Sequence, residues 1–287
     1  MAHPGHTSSK EDEVLQVGSS RESTKSFAGL AGQITPLQNK KRGTMFTQSP
    51  DQAHDAIVPE SHAPHQQQRA MLAFTITIAG IVAYVLLQVI AQMLPPHYSP
   101  LTQAISDLAV GPYGWLMAVM FLLYSVLTLA FLFGYIWGTS KEIRSRVGLI
   151  FLAIWAVLPG VLAFFPTDIV DAHGYPGSFQ AIQLTTTLHG MLHIVLSLIA
   201  FSSSMLATLF ISLRFKGVEQ LRSLHMPALL IALLMWPTFL LTDTFAKLGF
   251  YGVGERLFVG LGLLWMLIVA LWIRRRLAGD AGNRSVV

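Results

Sequence analysis

No cysteine occurs among the 287 residues. Disulfides, thiolate nucleophiles and cysteine-based metal sites are therefore excluded from this chain. Charge is scarce as well. Asp, Glu, Lys and Arg make up 12% of the sequence, against roughly 25% in an ordinary soluble domain. The shortage is uneven: residues 1–69 hold 14 of the 34 charged side chains (19 basic plus 15 acidic) and half of the ten histidines. From Ala70 onward the chain is a series of apolar runs separated by short polar stretches. A water-soluble fold would have to bury nearly all of that surface, whereas a bilayer accommodates it directly. The formal net charge of +4 is no nucleic-acid signature, because the basic residues lie in the tail and short loops where membrane topology accounts for them. The expected partner is the lipid bilayer, and no nucleic acid.

Residues 1–69 read as a disordered tail, rich in Ser, Gln, His, Gly and Pro and without apolar periodicity. Lys40-Lys41-Arg42 is read as a solvated charge run that helps keep the tail in the cytoplasm. The first apolar run starts near Ala70, too late for a cleaved leader, so the first helix is expected to serve as an uncleaved signal-anchor.

Six apolar segments follow, near 70–94, 113–137, 147–165, 188–213, 226–246 and 253–273. Each is close to the ~20 residues a helix needs to cross ~30 Å of hydrocarbon. The expected fold is all-α: a polytopic six-transmembrane-helix bundle over 70–275, flanked by the tail 1–69 and a C-terminal tail 276–287. Lys141, Arg144 and Arg146 lie between the second and third segments. Arg214, Lys216 and Arg222 lie between the fourth and fifth, and Arg274-Arg275-Arg276 close the last. The opposite connections carry only Lys247 and Arg256. The positive-inside rule then places both termini in the cytoplasm of a plasma-membrane protein.

Two outer connections look like more than linkers. Ser99-Pro100 is a good helix start, and Leu101, Ile105 and Leu108 share a face, so 100–110 is expected as a short interfacial helix ended by Gly111-Pro112. Residues 166–187 read as an ordered or partly re-entrant loop. Each outward-running segment is also followed by a hydroxyl residue and an aspartate: Ser106-Asp107, Thr167-Asp168 and Thr242-Asp243. This is a faint internal repeat.

The outer side collects Asp107, Asp168, Asp171, Asp243 and Glu255 against two fixed cations. Carboxylates at the C-terminal end of a helix are electrostatically disfavoured, and ionisable groups at membrane depth usually pair or line a cavity. A shared polar site built from Ser106, Asp107, Asp168, His189, His193, Asp243, Glu255 and Arg256 follows as the expectation. Arg256 is expected to pair with one of the outer acids. His189 and His193 are four residues apart on one helix face. With Asp168 they form a candidate zinc set. Pro159 and Pro237 are expected to bend their helices.

The motifs Ser106-Asp107-Leu108, Phe165-Pro166-Thr167-Asp168, the histidine pair, and Gly254-Glu255-Arg256 before Leu263-Leu264-Trp265 occur in that order. The pattern resembles the bacterial integral membrane family catalogued as domain of unknown function 998, over roughly residues 70–275. The resemblance implies a six-helix membrane domain and no established activity. A weaker likeness is to the ceramidase-like membrane hydrolases, with Ser106, Asp107 or Asp168, His189 and His193 in the matching parts. Those enzymes have seven helices and carry the histidine pair in a late helix; here the only other outer-side histidines are His97 and His173, both in loops.

The leading functional reading is a membrane protein of unestablished activity whose outward-facing polar site binds a small polar or lipid-headgroup ligand. The alternative is a metal-dependent lipid hydrolase, with zinc lowering the pKa of a bound water and a second aspartate as general base. A proton-coupled transporter is the third reading. It is disfavoured by the lack of charge near the centre of any span.

Overall fold

The computed structural model describes residues 64–96, 98–168 and 187–284, with side chains described as far as Gly279. The tail to residue 63, His97, and the stretch 169–186 with Asp171 and His173 lie outside the described residues. The described chain is all-helical, without a strand. Its helices are α1 (Pro64–Met93), α2 (Gly114–Gly138), α3 (Arg146–Leu162), α4 (Leu188–Phe215), α5 (Arg222–Leu240), the short α6 (Thr242–Lys247) and α7 (Tyr251–Arg284).

Five of these helical stretches are long and apolar enough to cross a membrane: Pro64–Met93, Gly114–Gly138, Leu188–Phe215, Glu219–Leu240 and Tyr251–Gly279. The third expected span is shorter. α3 has 17 residues, about 25 Å at the helical rise. The first and last helices run past the apolar segments at the same end of the bundle. α1 begins at Pro64, where the buried Gln67 donates its amide to the Leu277 carbonyl, and α7 continues to Arg284.

The long helices pack in chain order, α1 on α2, α2 on α3, α3 on α4, α4 on α5, α5 on α7, and α7 back on α1. The ring closes around a core that includes Phe74, Phe131, Tyr135, Trp155 and Trp265. Phe131 bridges Phe74 (6.2 Å between ring centroids) and Trp265 (5.5 Å). The outward surface is equally apolar. Leu72 is 62% exposed, Ile150 61% and Leu230 58%. Large apolar side chains covering both the inside and the outside of a helical ring mark a body solvated by lipid.

Arginine closes the helix ends at the 2–3 turn. Arg144 donates to the Ile136 and Thr139 carbonyls at the C-terminal end of α2, where a cation meets the negative end of the helix dipole. Arg214 reaches the Glu142 carbonyl at 2.8 Å. Pro159 lies inside α3 and Pro237 inside α5, each three residues before the end of its helix.

The expected helix at 100–110 is instead a set of turns with a single 3₁₀ turn at Ser106–Ala109. The reason lies in α7. A helix through this segment would bond the Ile105 N–H to the Leu101 carbonyl. Here Glu255 takes the Ile105 N–H at 2.5 Å, and the Val253 N–H takes the Leu101 carbonyl at 3.3 Å. Ile105 and Leu108 are still buried, but Leu101 is 56% exposed.

Candidate functional site

The ends of the helices away from Pro64 and Arg284 enclose a cavity of about 130 Å³, lined by residues of α1 through α7 and the 98–110 segment. Three of the eight expected site residues line it: Ser106, His193 and Glu255. Each is placed by a different element. Ser106 opens the 3₁₀ turn. His193 stands in the second turn of α4 and is 4% exposed. Glu255 stands in the second turn of α7.

His193 Nδ1 lies 2.7 Å from the Phe165 carbonyl. A carbonyl only accepts, so Nδ1 carries the hydrogen, and in the neutral ring Nε2 is left as an acceptor. The ring packs edge-on against Phe121, with centroids 5.8 Å apart. His189, one turn earlier, is exposed and lies 5.9 Å from the Phe165 ring. The pair on one helix face is thus split between the buried wall and the surface. Among the described residues no group of three or more His, Cys, Asp or Glu side chains is arranged to hold a metal ion. The trio His189, His193 and Asp168 therefore does not assemble as a ligand set in this structure.

The aspartates have local partners. Asp107 accepts from the Ala104 N–H at 2.8 Å. Asp168 accepts from the Thr187 N–H at 3.0 Å and from the Thr187 hydroxyl, while Thr187 caps α4 by accepting from the Gly190 N–H at 3.0 Å. Asp243 sits in the first turn of α6. Read along the sequence, Asp168 and Asp243 follow helix C-termini, where a carboxylate is disfavoured. In space they stand at the starts of the next helices, where the dipole favours it. Gly190 is part of this arrangement, because a Cβ there would come within 2.3 Å of an Asp168 carboxylate oxygen.

Arg256 points at the 98–110 segment. It donates to the Gln103 carbonyl at 3.0 Å, the Gly252 carbonyl at 2.9 Å and the Tyr98 phenol oxygen. Its guanidinium also lies 5.7 Å from the centroid of the Tyr98 ring. Tyr98 in turn donates to the Ala104 carbonyl at 2.6 Å. Burial holds the Tyr98 phenol well above its ordinary pKa, with the Arg256 guanidinium opposing the shift, so the phenol keeps the proton it donates. Glu255 and Arg256 thus have separate tasks. Both hold the segment, while Glu255 also forms part of the cavity wall.

Of the hydroxyl members of the three hydroxyl–aspartate pairs, only Ser106 belonged to the expected site. Ser106, Thr167 and Thr242 all line the cavity. In each pair the hydroxyl residue faces the cavity. The aspartate of the first two pairs holds backbone N–H groups, and that of the third sits in a helix's first turn. The signal was present as the faint repeat, but its inward-facing member was not the charged one. Tyr84, Tyr124 and Trp155 were also passed over; they form the inner polar and aromatic wall. Another part of the lining is apolar, with Phe201, Phe239 and Phe258 in mutual contact at 4.9–6.3 Å between centroids.

Long apolar helices in a closed ring, solvated by lipid outside and holding a polar-headed cavity at one end, define a multi-pass membrane protein. Residues 78–272 match the family model described as protein of unknown function (DUF998), and the chain belongs to that family. No curated protein and no solved structure matches the chain.

Proposed function

We propose that this protein binds a small amphiphile from the outer leaflet or the outer aqueous side, in the cavity between the outer ends of its helices. The observation that carries the reading is the mixed lining of a single cavity. Ser106, His193 and Glu255 line one part of it, and the mutually packed Phe201, Phe239 and Phe258 line another. On α4 the lining runs from His193 to Ser204, about 16 Å at the helical rise. That is half of the ~30 Å hydrocarbon thickness. The volume is below the ~300–1,000 Å³ of drug-sized sites, which fits one short chain or the end of a longer one.

In this reading α3 is the sixth span, since its 17 residues lie at the lower limit of ~17–25 for a crossing helix. Both termini and the Arg144 and Arg214 turns are then cytoplasmic, in the plasma membrane, and the cavity opens outward.

The absence of cysteine supplies a clean test. Ser197 lines the cavity, whereas Ser203 is buried on the same helix without lining it. A small membrane-impermeant thiosulfonate added outside intact cells is expected to modify Ser197→Cys and to leave Ser203→Cys unmodified. Equal reactivity at both positions, or reaction of Ser197→Cys only after lysis, would overturn the outward cavity.

A further inference from the structure

The charge inventory of the cavity wall is one-sided: of Asp, Glu, Lys and Arg, its described lining holds Glu255 alone. Glu255 contributes a carboxylate and His193 an accepting Nε2 in its neutral ring. Thr242 donates its hydroxyl hydrogen to the Phe239 carbonyl at 2.7 Å, and Ser204 donates to the Phe201 carbonyl at 2.7 Å. Both therefore turn lone pairs towards anything in the cavity. Among the described lining residues there is no Lys or Arg. Ring surfaces complete the polar half: Tyr84, Phe121, Tyr124 and Trp155.

We infer that the cavity takes a single-chain amphiphile whose head is a primary ammonium group. This rests on the amphiphile-binding reading above and narrows it to one class of ligand. An ammonium carries three donors and no acceptor, and the Glu255 carboxylate, His193 Nε2 and the hydroxyl oxygens of the wall can accept them. It supplies the countercharge that a carboxylate at membrane depth requires. Aromatic faces attract cations, most strongly where water is excluded. A carboxylate or phosphate head would meet Glu255 and the hydroxyl lone pairs with like charge and no donor cation. A neutral alcohol has one donor and no charge, so it uses only part of the site. The apolar chain fills the Phe201–Phe239–Phe258 end, where a head group would lose its hydration without compensation.

The test compares three compounds that differ only in the head: octylamine, 1-octanol and octanoate. The full-length protein is held in nanodiscs, and binding is read from the shift in thermal unfolding as each compound is titrated. Octylamine is expected to bind at least tenfold more tightly than octanol, and octanoate not to bind. Glu255→Gln keeps an acceptor for the Ile105 N–H and should reduce the octylamine preference over octanol to threefold or less. A second readout does not depend on unfolding: octylamine should slow thiosulfonate labelling of Ser197→Cys, and octanoate should not. Equal affinity for octylamine and octanol, or preference for octanoate, overturns the ammonium inference while leaving the cavity reading in place. Strong octylamine preference that persists in Glu255→Gln also overturns it. If no octyl compound binds or protects Ser197→Cys, both readings fall.

Discussion

Asp168 and Gly190 act as one unit at the residue scale. The carboxylate accepts two hydrogen bonds from Thr187, and it lies where any side chain at position 190 would begin. A methyl group there must push the carboxylate away from the α4 N-terminus. Gly190→Ala and Asp168→Ala are therefore expected to act alike, each lowering stability by about 1–2 kcal/mol, the usual value of a lost helix cap. The double variant should cost little more than either single one, because both remove the same interaction. Thermal unfolding of the four proteins in nanodiscs checks this. Additive losses would mean that the two residues act separately.

Scaling up to elements, the 98–110 segment gains its form from α7. Its own residues favour a helix start at Ser99, and the Ser99 N–H is met by the Gln103 side chain at 2.7 Å. The helix does not continue because α7 takes both halves of the next backbone bond. Close approach is a condition for this. At Gly252 a Cβ would lie 2.3 Å from the Gln103 carbonyl oxygen and 2.5 Å from that of Pro100. Backbone atoms cannot swing aside as a side-chain tip can. Gly252→Ala is expected to lift the segment off α7 at a cost of about 1–3 kcal/mol and to make residues 98–110 cleavable by protease added outside. Arg256→Ala should give the same cleavage, since it removes the bonds to Gln103 and Tyr98. Protection unchanged in both variants would show that the segment is held by other contacts, such as the burial of Ile105 and Leu108.

For the whole molecule, topology is the quantity to measure. Lys141 in the 2–3 turn and Leu248 between α6 and α7 are both exposed. With cytoplasmic termini, Leu248→Cys should label with an impermeant maleimide outside intact cells, and Lys141→Cys only after lysis. The reverse pattern would invert the bundle and move the cavity to the cytoplasmic side. Labelling of both from outside would mean that α3 does not span. Deleting residues 1–60 should leave unfolding of the membrane domain unchanged, because α1 starts at Pro64 and Gln67 still reaches Leu277.

Composition and patterning by themselves determined that this is an all-helical membrane protein, where its long apolar helices lie, and which family it resembles. These follow from local quantities: the length of an apolar run against the thickness of a bilayer, and short motifs in a recurring order. The cavity was legible only in part. Ser106, His193 and Glu255 were marked by being polar near the ends of apolar helices. Which member of each hydroxyl–aspartate pair would turn inward could not be read from the chain. For Asp168 the choice depends on the start of another element, at Thr187, whereas Asp107 is held locally by the Ala104 N–H three residues before it. An aspartate that finds backbone N–H groups has its charge satisfied there, and the neighbouring hydroxyl is left to face the space between helices. The fate of 100–110 was likewise set in three dimensions, because the partner that unmakes its helix lies 150 residues away in sequence. Local propensity decides where a helix is possible. Competition for the same N–H and C=O groups decides whether it forms, and only packing brings the competitors together.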